Sequence, residues 1–395
     1  MEDAPWFRLA HAAGLAGLDG SLRPTIFAEM TSLAAETGSI NLGQGFPDFD
    51  GPEAVLSAAK GAIDEGLNQY GPARGNPLLI EAIRNQRKRD YGIDLDVNEI
   101  LVTVGATEAI SASLLAYVAP GDEVIAFEPY YDEYLAVTAL AGGTLVSVPL
   151  YAPEFQPEPQ ALEAAITPRT KAIILNTPHN PTGAVFEEER LRAIATIANR
   201  HGIMVIADEV YEQLTFSGKH VPMVAAGLDP ELSIAISSGG KTFSVTGWKV
   251  GWIMANAKRI GEISAVKQYM SFVGSVPLQP AIATGLGLPQ EFFDQQRASF
   301  TAKRDMLVEG LQGVGMTPYV PDSGYFVLAD TVELGYGDAR SLAYELPHLV
   351  GVVSVPVSPF ASIDRSDLRA VMRFAFCKRD DTIAEAVSRL AGLRR

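Results

Sequence analysis

From about residue 100 onward, short runs of β-branched and aliphatic residues alternate with longer stretches whose apolar positions recur every three to four residues. The apolar runs at 101–104, 124–127, 145–148, 171–175, 203–207 and 234–237 predict strands. Between two of them, residues 187–200 place Leu191, Ile194, Ile197 and Ala198 on one face and acids in the first turn, where a helix dipole favours them. His201-Gly202 predicts the end of that helix. The run at 101–104 passes through Gly105 into an apolar helix predicted over 108–118. Strand–helix alternation of this kind predicts an α/β fold with a mostly parallel sheet sandwiched by helices. The last third differs. A long helix over 291–311 leads to strands near 325–328, 351–356 and 369–376, and a helix over 380–393 follows. That pattern predicts a separate α+β unit, with residues 21–45 packing back onto it. The division expected is an N-terminal arm (1–45), a large domain (46–285) and a small C-terminal domain (286–395).

A chain of 395 residues exceeds what one hydrophobic core usually supports, which agrees with two domains. Its 47% hydrophobic and 20% charged residues are ordinary for a globular protein. The formal net charge of −16 argues against nucleic-acid binding, which needs a cationic face. No run is long enough to predict a membrane span. Glu2 and Asp3 stand where a secretory signal would carry basic residues, and the single Cys377 suits a reducing cytoplasm; a cytoplasmic protein is expected. His11, His179, His201, His220 and His348 never fall at metal-ligand spacing, so no metal is expected.

The chemistry concentrates in Ser237-Ser238-Gly239-Gly240-Lys241-Thr242, directly after an apolar run, with a second cation at Lys249. A lysine on a glycine-cleared turn suits an aldehyde held as a Schiff base, and the flanking Ser238 and Lys249 suit a phosphate on that aldehyde. That combination points to pyridoxal 5'-phosphate. A nucleotide-binding P-loop would need glycine six residues before the lysine, and Ala235 stands there. Asp208 ends the apolar run 203–207 and is expected at a strand end in the ligand crevice, where a protonated pyridine nitrogen would partner it. Tyr211 and Asn180 can reach the ring's phenolic oxygen. Gly105-Ala106-Thr107 joins a strand to a helix and offers backbone N–H groups to an anion. Tyr131 follows another strand end and can stack on the ring. Arg373 lies among apolar residues and needs a partner: a substrate carboxylate or an internal salt bridge.

With these go Asn41-Leu42-Gly43-Gln44-Gly45-Phe46-Pro47-Asp48, Asn68-Gln69-Tyr70-Gly71-Pro72, Asn180-Pro181-Thr182-Gly183, Asp208-Glu209-Val210-Tyr211 and Arg373-Phe374. On these motifs the chain resembles the fold-type I, class I pyridoxal-phosphate aminotransferases from about residue 40 to 389. It is similar to their kynurenine/glutamine and methionine branch, and most of all to the bacterial group assigned to N-succinyldiaminopimelate transamination in lysine biosynthesis.

The resemblance implies a large domain with a seven-stranded sheet, and a homodimer with shared active sites. It implies transamination between an L-amino acid and a 2-oxo acid, with glutamate and 2-oxoglutarate as one pair. Lys241 would bond the cofactor and move the substrate proton. Asp208 would pair with the ring nitrogen, Asn180 and Tyr211 with the phenolic oxygen, and Tyr131 with the ring face. Ala106, Thr107, Ser238 and Lys249, with Tyr70 from a second subunit, would hold the phosphate. Arg373, Asn180 and the Gly45 backbone would hold the substrate carboxylate. The bonds Glu128–Pro129 and Asn180–Pro181 are expected to be cis. Arg23, Phe27, Tyr325 and Phe360 are candidates for the side-chain pocket. Lys249 replaces an arginine of many relatives, and Ser323-Gly324-Tyr325 departs from their Gly-Thr-Tyr. A C–S β-lyase on the same scaffold and a non-catalytic cofactor-sensing module are the competing readings.

Overall fold

The computed structural model describes residues 4–17, 20–362 and 365–393. Among them, seven strands form one sheet in the spatial order Ile100–Val104, Val250–Ala255, Ser233–Ser238, Met204–Asp208, Thr170–Asn176, Glu123–Glu128 and Thr144–Pro149. All six strands expected from the apolar runs are present, and they run in one direction. The seventh, Val250–Ala255, is antiparallel to both neighbours. Its apolar run was hidden behind the lysine motif and broken by Gly251. Space explains that glycine: a Cβ there would stand 2.6 Å from the Gly105 carbonyl carbon and 2.8 Å from the Ala106 nitrogen.

The strands read as continuous apolar runs because both faces of the sheet are covered. Ile173, Leu175, Val205 and Ala207 join one buried cluster, while Ala172, Ile174, Met204 and Ile206 join the other. The helix Glu188–His201 presses Leu191, Ile194 and Ala198 onto the first and ends at Gly202, whose φ of 65° provides the left-handed cap. Common direction has a consequence for chemistry. Val104, Glu128, Asn176, Asp208 and Ser238 all lie at C-terminal strand ends on one edge, and Lys249 enters the antiparallel strand from that edge.

A second sheet is antiparallel, in the order Val355–Pro356, Val371–Ala375, Phe326–Asp330 and Thr317–Tyr319. The helices Gln290–Gly313 and Asp380–Leu390 pack against each other beside it. From the N-terminal region, helix Ile26–Thr37 packs on helix Ala339–Val350, and Ile40–Asn41 pairs in parallel with Val352–Val353. Helix Pro5–Ala12 does not follow it; it lies against helix Glu133–Ala141, next to the large sheet. The apolar stripe of Pro5–Ala12 is too short for sequence periodicity to name its partner. No described helix is long and apolar enough to cross a membrane.

Candidate active site

Helix Gly105–Tyr117 begins at Gly105 itself, three residues before the expected start. Gly105 has φ +75°, and a Cβ there would stand 3.0 Å from Lys249 Nζ. The glycine lets the lysine fold over the helix start, where Nζ donates to Thr107 Oγ1 at 3.2 Å. Ser238 caps the short helix Gly239–Thr242 by accepting from the Gly240 N–H at 3.2 Å, and donates to the Val250 carbonyl. Ala106, Thr107, Ser238 and Lys249 therefore rim one cationic, N–H-rich corner of a cleft of about 350 Å³.

Lys241 reaches into the same cleft. Its Nζ donates to the Gly45 carbonyl at 3.2 Å and lies over the rings of Tyr211 and Tyr325. Burial, with Arg373 adding to it, brings the amine down to about 8. Asp208 is buried at its strand end. Tyr134 donates to its Oδ2 at 2.6 Å, and the Val210 N–H to its Oδ1 at 3.3 Å. Burial raises this carboxyl above its ordinary range despite both donors. A carboxylate so placed favours a cationic ligand atom.

Arg373 sits at the other end, 3% exposed. Its guanidinium stacks 3.9 Å above Phe326, with Phe360 and Phe27 at 4.9 and 5.2 Å. It donates to the Gly43 carbonyl at 3.1 Å and to Asn180 Oδ1 at 3.4 Å, and its Nε has no partner. Its hydrogen-bond partners are a backbone carbonyl and an amide oxygen, and Asp132 acts on it only through space, so among described residues no internal salt bridge is formed. Burial lowers it to about 10. A positive, desolvated fork with an unused N–H is a receptor for a carboxylate.

Tyr131, Asn180 and Tyr211 line the cleft beside Lys241, Asp208 and Arg373. Tyr70 does not; it is 82% exposed and touches Phe272 edge-on. Both expected cis bonds are found, with two more at Ala152–Pro153 and Thr177–Pro178. Of the pocket candidates, Phe27 lines the cleft, Phe360 stacks on Arg373, and Arg23 is exposed outside it. Tyr325 lies behind the cleft, where its hydroxyl donates to the Lys241 carbonyl at 2.6 Å. Sequence reasoning missed four supporting residues. Tyr134 orients Asp208, and Asn176 Oδ1 accepts from the Asn180 N–H at 2.7 Å. Phe326 floors Arg373, and Glu133 lines the wall near Asp208. Asn176 had a signal, a polar residue ending an apolar strand. The others read as ordinary helix or core positions.

The donor set fits pyridoxal phosphate on the structure's own terms: a lysine held near neutrality, a buried carboxyl wanting a cation, and an anion corner that a Cβ at Gly105 would fill. The model of the family described as aminotransferase class I and II matches residues 37–390. The chain is 47% identical over 389 residues to a probable N-succinyldiaminopimelate aminotransferase of Mycobacterium tuberculosis, covering 94% of this chain and 97% of that one. It is 37% identical to the methionine aminotransferase of Escherichia coli, covering 94% and 96%. Among solved structures, N-succinyldiaminopimelate aminotransferase from M. tuberculosis superposes with a TM-score of 0.91 at 47% identity, covering 94% and 97%. The chain thus belongs to the class I and II aminotransferases and is a pyridoxal-phosphate-dependent enzyme of that family.

Proposed function

We propose that this enzyme transfers the amino group of N-succinyl-LL-2,6-diaminopimelate to 2-oxoglutarate, the reading that its 47% identity to the M. tuberculosis protein favours. The observation that carries transamination at this site is the common cleft of Lys241, Asp208 and Arg373. When bound, pyridoxal phosphate supplies an electron sink and a carrier for the amino group. Ala106, Thr107, Ser238 and Lys249 would hold its phosphate, Asp208 would keep its ring nitrogen positive, and Tyr131 would lie on its face. Asn180 and Tyr211 would hydrogen-bond its phenolic oxygen.

Arg373, Asn180 and the Gly45 backbone would grip the substrate's α-carboxylate and so aim its α-hydrogen. Lys241, lowered to about 8 by burial, is neutral in a useful fraction near physiological pH and can take that proton at Nζ and return it. Arg373 is locked by Phe326 and its two acceptors, so little orientation entropy is lost on binding. We further infer a cytoplasmic homodimer in which Tyr70 completes the phosphate corner of the partner copy. The exposure of Tyr70 and Tyr269, 82% and 90%, supports this.

One observation favours a second substrate class. Among described residues, the cations lining the cleft are Lys241, Lys249 and Arg373, while Phe27, Phe46 and Phe326 supply apolar lining. That suits methionine or kynurenine, whose side chains carry no carboxylate in the position of the distal one of N-succinyl-diaminopimelate. A distal carboxylate would need a cation from the second copy. The deciding experiment follows bleaching of the cofactor's visible band with each amino donor in turn. Fastest bleaching by N-succinyl-diaminopimelate supports the proposal; methionine or kynurenine ahead of it replaces the substrate and keeps the reaction.

A further inference from the structure

A carboxyl group that the transamination scheme leaves unused stands in the cleft wall. Glu133 opens the helix Glu133–Ala141 and is 8% exposed. Its Oε1 accepts from Ser111 Oγ at 3.2 Å, on the helix whose first turn rims the anion corner. Its Oε2 is buried without a partner. It lines the same cleft as Asp208, Thr107 and Lys249.

Two carboxyls would then face a ligand bearing one ring cation and a phosphate dianion. Ionising both would set a second negative charge against the phosphate and against Asp208. A protonated Glu133 removes that conflict, because Oε1 still accepts from Ser111 while the buried Oε2 carries an O–H in place of an unpaired charge. Burial holds this acid well above the ordinary carboxyl range. Asp208 and Asp132 push the same way, whereas Ser111 and Lys249 pull back. Tyr131 and Tyr134 complete the titratable groups beside it. Arg8 and His11 lie on the helix packed against this one.

We propose that Glu133 is a positioning residue for the cofactor that works as a neutral acid, leaving Asp208 the single negative charge toward the ring nitrogen. Its ionisation weakens cofactor binding. The inference rests on the cofactor placement proposed above. The probe is pyridoxamine 5'-phosphate, which binds without bonding to Lys241. Its dissociation constant is measured by equilibrium dialysis across neutral and alkaline pH for the cofactor-free protein, Glu133→Gln and Ser111→Ala. Titrations of phosphate, ring nitrogen and Lys241 are common to all three, so the ratios read Glu133 together with the Asp208 it opposes.

The parent and Glu133→Gln should agree within about twofold at the low-pH end of the range. Above the Glu133 transition, the parent should weaken relative to Glu133→Gln by up to about tenfold per pH unit, the slope of one proton. Ser111→Ala loses a hydrogen bond that favours the ionised acid, so its transition should move to higher pH. It carries the test if Glu133→Gln fails to fold. A parent-to-variant ratio that stays constant across the range, or no transition shift in Ser111→Ala, overturns the role of Glu133 alone. Absence of pyridoxamine phosphate binding in all three folded proteins overturns the cofactor placement as well.

Discussion

Two buried arginines in this chain should respond in opposite ways to the same substitution. Arg87 lies 2.8 Å from Glu209 Oε2 and 3.0 Å from Glu212 Oε2, all three buried. Burial works against its charge, but the two glutamates outweigh burial and hold it above the ordinary range. Arg373 has no such partner, and burial takes it down from the ordinary guanidinium range to about 10. For a base whose folded value is depressed, the unfavourable term is fully present below the folded value. It fades only as pH rises from about 10 toward the ordinary guanidinium range, so at neutral pH the whole term applies. A shift of this size corresponds to a destabilisation of about 3 kcal/mol. Stacking on Phe326 and the bonds to Gly43 and Asn180 return about 2–3 kcal/mol of it.

Arg373→Met should therefore change unfolding free energy by less than about 1 kcal/mol. Arg87→Met strands two buried carboxylates and should lose about 3–5 kcal/mol. Activity should divide the other way. Losing the fork that binds the α-carboxylate removes about 3–5 kcal/mol of transition-state binding, or about a hundred- to several-thousand-fold in kcat/KM. Urea unfolding of both variants, steady-state kinetics of Arg373→Met, and thermal shifts with 2-oxoglutarate read these quantities. The dicarboxylate should stabilise the parent and not Arg373→Met. If Arg373→Met unfolded as readily as Arg87→Met, or kept kcat/KM within tenfold, the receptor role would be wrong.

Other consequences follow from the same geometry. The rate at which cofactor-free protein covalently captures pyridoxal phosphate should climb with pH until about 8 and then level off. This follows because Lys241 must be neutral to react and its folded value is depressed; stopped-flow absorbance checks it. Tyr134→Phe removes the 2.6 Å donor to Asp208, so kcat should fall about 10- to 150-fold at nearly constant KM, from about 1.5–3 kcal/mol for a hydrogen bond to a buried charged group. Gly105→Ala strains a φ of +75° and crowds Lys249 Nζ, so cofactor affinity should drop by about tenfold or more by equilibrium dialysis.

The large sheet was legible because both its faces are buried, so each parallel strand stands out as an apolar run between helical periods. Val250–Ala255 escaped because Gly251, required by the close approach of Gly105, breaks its pattern. Asp208 and Ser238, which end strands, and Asn180, in the turn after the strand Thr170–Asn176, could be read from local motif chemistry and chain direction. Tyr134, Phe326 and Glu133 could not. Tyr134 and Glu133 begin a helix and Phe326 begins a strand of the second sheet, and only the fold brings them to the cleft. The left-handed Lys249 (φ 51°) was likewise invisible, although it turns the cation onto Thr107.

Borohydride reduction of the loaded enzyme, followed by peptide mass mapping, reads the most basic assignment of all. A pyridoxyl group on the peptide containing Lys241, absent from Lys241→Ala, is the result expected. A label on any other lysine, or none anywhere, would contradict the placement of every residue around that amine.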